Sequence, residues 1–345
     1  MAWVVDETGR DESEARMVDG RSQGAGVGAG SATRLRVRRC LAGLIALASV
    51  LLATDTADAR DRHPAPIRPS LTRESDWRGV ADVLGHPGRV VDRRAYGVGF
   101  PRADLKVVCQ GQRVAAIGSF VSFIRYPDRR TMMMGELAVT EREVRKVHDV
   151  LVARGLTQTS LHEHLPAHSP AMWWLHFHGM GRDPLALARA LRAVLDVTGT
   201  PHVRGTPHDV PLALDGPAVD RALGAEGRAQ GKVYKVTYAR KETVADHDRV
   251  LPRMTGSTSA LIFQPLGRDK ALLNGDIAVT AREVPAVVKA LRRGKIDIVA
   301  FHSHMLTDQP RLFYFHLWAV GDPVRLAGHL RAAIRHTNSA PAKPS

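Results

Sequence analysis

Gly135-Glu136-Leu137-Ala138-Val139-Thr140-Glu141-Arg142-Glu143-Val144 returns 140 residues later as Gly275-Asp276-Ile277-Ala278-Val279-Thr280-Ala281-Arg282-Glu283-Val284, without a gap. The same offset carries Leu161-His162-Glu163-His164 onto Phe301-His302-Ser303-His304, Pro170 onto Pro310, His176 onto His316 and Gly181 onto Gly321. Upstream, Ser119 and Phe123 fall on Ser259 and Phe263. A period held through segments of such different composition marks a tandem duplication. Working outward, the chain divides into a leader (1–59), a Pro-rich arm (60–75), a first unit (76–198), a Pro- and Gly-rich linker (199–217), a second unit (218–338) and a polar tail (339–345).

Within each unit the local signals agree. Thr140 and Thr280 are followed three residues later by Glu143 and Glu283, the spacing that satisfies the first free amides of a helix, so helices are predicted to start there. Pro285 conflicts mildly with that start in the second unit. Asp183-Pro184 and Asp322-Pro323 set an N-cap acid before a first-turn proline and open a further helix in each unit. Between the helices lie two runs rich in aromatic and β-branched residues, Ile296 to Met305 and Arg311 to Val320, which read as an antiparallel hairpin. The fold class is therefore α+β: a tandem duplication of an α/β sandwich unit, with an antiparallel sheet, helices on one face and a pseudo-twofold between copies.

Alternation along a strand places residues two apart on one side, so His302 and His304 point the same way. With His302 opposite His316 across the hairpin, three imidazoles converge beside Tyr314 and Trp318, while Phe301, Met305, Phe315 and Leu317 turn to the helices. The first unit repeats the set as His162, His164 and His176, and carries His178 where the second has Trp318. Trp174 stands at the matching place to Tyr314 as a pocket wall. Three imidazoles with an open position are the ligand set of zinc and related divalent ions, and Glu136 and Asp276 are the candidate carboxylates to complete it. Two arrangements satisfy this pattern: one site per unit, or the two histidine faces packed together to share one. The other histidines, among them His148, His168 and His247, have no repeated counterpart and read as solvent-facing.

Composition bounds the rest. Arg34, Arg36, Arg38 and Arg39 precede the apolar run Leu41 to Ala53, and Ala57-Asp58-Ala59 follows it, the order of a cleaved export signal. Beyond residue 59 there are 42 basic and 27 acidic side chains, a net charge of +15. That excess attracts acidic partners, yet it lacks the clustered basic and aromatic stripe of a dedicated nucleic-acid surface. No run after the leader is long enough to span a bilayer. With only Cys40 and Cys109 in the chain a disulfide scaffold is excluded, and Cys109, in an apolar run, reads as a core thiol rather than a nucleophile.

The segment Phe301-His302-Ser303-His304-Met305-Leu306, with Pro310 to Ala319 after it and Phe263-Gln264-Pro265 and Gly275-Asp276 before it, resembles the LppY/LpqO family of exported bacterial proteins and lipoproteins. The resemblance spans most of residues 75 to 338 and implies export, periplasmic or extracellular, without naming a reaction. Two functions follow from the residues. One is an exported protein whose histidine sites hold a divalent metal, zinc first. The other is a metal-free envelope module whose pocket takes a small or acidic ligand.

Overall fold

In a computed structural model, residues 65–202 and 211–342 are described. The leader, its apolar core and the middle of the linker lie outside them. The first repeat runs α1 (Arg78–Leu84), β1 (Gly88–Val91), β2 (Ala95–Pro101), β3 (Gly118–Arg125), β4 (Thr131–Thr140), α2 (Glu141–Ala153), β5 (Thr157–His162), β6 (Met172–Gly181) and α3 (Pro184–Leu195). The second runs α4 (Gly216–Leu223), β7 (Gly227–Gln230), β8 (Val233–Arg240), β9 (Thr258–Pro265), β10 (Ala271–Val279), α5 (Val284–Arg293), β11 (Asp297–His302), β12 (Phe313–Gly321) and α6 (Pro323–Ile334). The element order is the same twice.

Each repeat forms its own antiparallel sheet, in the orders β1-β2-β3-β4-β6-β5 and β7-β8-β9-β10-β12-β11. One face of the first sheet, with Phe123, Met133, Leu137 and Phe177, packs under α1, α2 and α3, as Phe263, Leu273, Ile277 and Leu317 pack under α4, α5 and α6. The other faces meet. Ile124, Met132 and Met134 share a cluster with Ala278, Met305 and Tyr314, and Ala138 and Trp174 share another with Leu272 and Trp318. The architecture is α+β, with helices outside and the two sheets face to face, so that strand alternation separates a helix-covered core from an inter-sheet layer.

Several local expectations shift. Asp183 and Asp322 cap α3 and α6 as read, accepting from the Leu185 and Arg325 amides at 2.8 and 2.7 Å. Helix α2 begins directly after Thr140, but α5 begins at Val284, three residues later than its repeat. Proline lacks the amide a helix interior needs and clashes with the carbonyl four residues back, so Pro285 is admitted only in a first turn. The hairpin register differs by two residues from the expected one: His302 pairs with Tyr314, and His316 pairs with Ala300, past a bulge between Ile298 and Ala300. A two-residue slip preserves the face, so the histidines still converge. Met305 lies beyond the end of β11 in the inter-sheet layer, and Phe301, on this edge strand, is 51 % exposed. The polar end of the chain adds β13 (Ser339–Pro341), which pairs with β8. Backbone hydrogen bonds to a free strand edge need no apolar pattern, which is why polarity alone read as a tail.

Two loops, residues 102–117 and 240–257, fold back over the sheets, each rooted on a buried arginine. Arg102 is gripped by Asp104 and Glu143 at 2.8 and 2.9 Å, and Arg240 by Glu242 and Glu283, both at 2.7 Å. Cys109, inside the first loop, is buried and donates to the Pro166 carbonyl at 2.9 Å; burial pushes its thiol up to about 11.

Candidate metal centre

Strand ends and the facing of the sheets bring six imidazoles into one cluster. His162 and His302 close β5 and β11; His176 and His316 sit in β6 and β12; His164 and His304 follow two residues after the strand ends. Across the interface, His162 stacks on His302 with ring centroids 3.5 Å apart. His164 lies 3.5 Å from His316, and the reciprocal pair His176 and His304 lies at 4.2 Å. Trp174 stacks on His164 at 4.1 Å and Tyr314 on His304 at 3.4 Å. Exchanging the repeats maps each contact onto its partner. Of the two arrangements open to the sequence, the structure adopts the shared cluster.

Glu136 stands opposite His176 on the neighbouring strand, and Asp276 opposite His316. A Glu136 oxygen reaches His176 Nε2 at 3.4 Å and His164 Nε2 at 3.5 Å, while Asp276 lies 3.8 Å from His304 Nε2. Three groups bring one ligand atom per residue within 4.8 Å of one another: His162, His164 and His316; His162, His176 and His302; Glu136, His164 and His176. Two nitrogens, His162 Nε2 and His164 Nε2, face each other at 3.1 Å, so without a shared cation one of them carries the proton. Both ring nitrogens of His302 are buried without a hydrogen-bond partner.

The electrostatics favour ligand-ready forms. Burial holds His162 and His304 down to about 3, and burial with the neighbouring imidazoles holds His164, His176, His302 and His316 well below the ordinary histidine range. All six are neutral near pH 7, the state that binds a metal. Burial, with repulsion from Asp276, pushes the Glu136 carboxyl up to about 8 against the pull of Lys235. Burial raises Asp276 to about 6, moderated by the Ala260 amide donating to its Oδ1 at 2.8 Å and by Lys235. Two carboxyls beside six neutral imidazoles offer a divalent cation both ligand atoms and negative charge.

His178 stands apart from the three ligand groups, its Nδ1 3.0 Å from Asp246 of the second repeat. At the matching position Trp318 donates from Nε1 to Gln110 Oε1 of the first repeat at 3.0 Å. Each repeat's loop thus secures the same position of the other. Of the histidines read as solvent-facing, His247 is exposed, whereas His148 and His168 are half-buried; His168 Nε2 accepts from the Met172 amide at 3.0 Å. Lys235, Asp246 and Gln110 were not singled out from sequence, and Gln264 entered only within Phe263-Gln264-Pro265, without a role of its own. Gln264 spans the interface, its Oε1 accepting from the Ala115 amide and its Nε2 donating to the Arg113 carbonyl, both at 2.7 Å. None of these four belongs to the matched motif, and a duplication signal is blind to unpaired residues.

Comparison with known proteins adds the following. A family profile described as Domain of Unknown Function (DUF1259) matches residues 78–197 and again 217–336. No curated protein matches the chain. Solved structures with some likeness include the trimeric bacterial microcompartment shell protein PduB, at 14 % identity and a TM-score of 0.21, covering 73 % of this chain and 91 % of that one. EtuB from Clostridium kluyveri matches at 11 % identity and a TM-score of 0.18, covering 74 % and 95 %. At such scores the likeness carries no argument.

Proposed function

The chain belongs to the DUF1259 family in both of its repeats, and from that premise we propose that it is an exported protein whose two repeats together hold a divalent metal, zinc first, in the shared histidine cluster. His162, His164, His176, His302 and His316, with Glu136, would supply the ligands; His304 and Asp276 complete the set on the other side. The observation that carries this reading is His302, buried with neither ring nitrogen partnered. An unsatisfied buried polar group costs about 1–3 kcal/mol, and a metal ion is the partner that neutral imidazoles in this number accept. The pseudo-twofold suits a site built by duplication. Export rests on the basic, apolar and small-residue order of residues 34–59 and on the resemblance to the LppY/LpqO proteins. Bound metal would act as a Lewis acid and acidify a bound water.

Elemental analysis of residues 60–345 before and after chelation tests the reading, with His302→Leu and a His302→Ala, His304→Ala double variant alongside. One or two tightly held ions in the wild type, lost in both variants, is the expected result. In the metal-free state His302→Leu should melt higher than wild type, because an apolar side chain of similar size removes the unpaired nitrogens. A wild type that takes up no zinc, manganese or copper would overturn the metal and leave a metal-free ligand-binding module.

A further inference from the structure

The repeats match in their histidines and differ in what surrounds them. Two cavities flank Glu136, Lys235 and Asp276 between the sheets, one of about 250 Å³ and one of about 150 Å³. His176 and His304 border the larger; their counterparts 140 residues away, His316 and His164, border the smaller. The smaller is lined by Val114, Ile117, Trp174 and Ile262 together with Gln264 and Asn274. The larger is lined by Phe120, Met134 and Met254 as well as Ser122, Thr255 and Thr258, and it alone of the two carries Arg89 and Arg228, with Glu226. Its volume corresponds to about eight water molecules, at roughly 30 Å³ each.

Arg228 on β7 is directly opposite Lys235 on β8, and both line this cavity. Like charges directly opposite on paired strands repel, so a bare pair of cations destabilises its sheet edge. Among the described residues no carboxylate is in ion-pair contact with Arg228. In the first repeat the corresponding pair is Arg89 opposite Gly97, so the doubled charge belongs to one copy only. Formally Arg89, Arg228 and Lys235 are matched on this cavity by Glu136, Glu226 and Asp276, so a divalent ion at the histidine cluster would leave it with an excess of positive charge.

We propose that the larger cavity is the ligand pocket of this protein, that its ligand is a small organic anion whose oxyanion group is held by Lys235 and Arg228, and that the smaller cavity has no such role. The proposal rests on the metal reading for the adjacent charge. Isothermal titration of the zinc-loaded protein with methyl phosphate and with acetate measures it, metal content being determined for every variant. Binding of one or both by the wild type, weakened about tenfold or more in Arg228→Gln with unchanged metal content and restored in Arg228→Lys, is the expected result. The stronger of the two probes identifies the oxyanion as phosphate or carboxylate. Metal-loaded protein that binds neither probe at millimolar concentration overturns the pocket and leaves the metal standing, as does Arg228→Gln binding like wild type. A protein that holds no metal yet binds a probe through Arg228 sinks the metal reading and retains the pocket.

Discussion

His302 concentrates the chemistry of this chain in one side chain: it closes β11, stacks on its own repeat copy His162, and has no hydrogen-bond partner at either nitrogen. Its type and its repetition were legible in the sequence; its lack of a partner was not, because that depends on what the facing sheet brings opposite it. The same burial fixes a pH dependence. The folded-state values of the six histidines lie below the ordinary 6.5, so the unfolded chain takes up protons in a window where the native state resists them. Their contribution to stability is full above pH 6.5 and is lost as pH falls toward 3. Glu136 and Asp276, raised to about 8 and about 6, act in the opposite sense, contributing below the ordinary carboxylate range and losing it as pH rises. Six imidazoles outweigh two acids. Thermal melts of chelator-treated protein should therefore fall from pH 7 to pH 5, each net proton being worth about 1.4 kcal/mol per pH unit, with a shallower fall in His302→Leu. A melting temperature that does not change over that range would contradict neutral, buried imidazoles.

Among the elements, α3 and α6 stand where an acid and a proline announce them, since a capping side chain and a fixed φ act within a few residues. The strand register was beyond the same local rules: an alternating pattern tells one face from the other but is identical after a two-residue slip, so only the folded hairpin shows His302 opposite Tyr314. Pro285 delays α5 by three residues, yet Glu283 still accepts from the Thr280 amide at 2.7 Å, so one half of the capping pair persists where the helix start does not. Glu283 does this while gripping Arg240, whose side chain is 1 % exposed and bonds the Ala278 carbonyl at 3.3 Å at the end of β10. Desolvation opposes the charge of Arg240, and its two carboxylates more than offset it. Arg240→Met removes the cation from a buried pair and leaves Glu242 and Glu283 facing each other, for which a loss of about 3 kcal/mol is expected in urea melts. Arg102→Met should behave alike. Loss of less than about 1 kcal/mol would place the grip among ordinary surface pairs.

At the scale of the whole molecule the site exists only between the repeats. Each sheet turns an inner face carrying Met132 and Met134, or Tyr314 and Trp318, to the other, and without that partner these faces are exposed apolar surface. Residues 65–202 or 211–342 expressed alone should bind metal at least about 100-fold more weakly than the whole chain, since even loss of supporting groups around a metal costs 10–100-fold; mixing the two halves should restore binding, as read by zinc competition. Halves that each hold an ion as tightly as the intact protein would show two separate sites. No described helix is long and apolar enough to cross a membrane. The sequence by itself determined the duplication, the α+β class, the capped helices and which residue types repeat, because periodicity, capping and composition act over short stretches of chain. Only the tertiary structure decided that the histidine faces meet, that Lys235 and Asp246 from one repeat reach the residues of the other, and that Arg89 and Arg228 border one of the two cavities and not the other. Those facts arise from contacts across the sheet interface between residues far apart in the chain, and no local pattern encodes which surfaces will exclude water together.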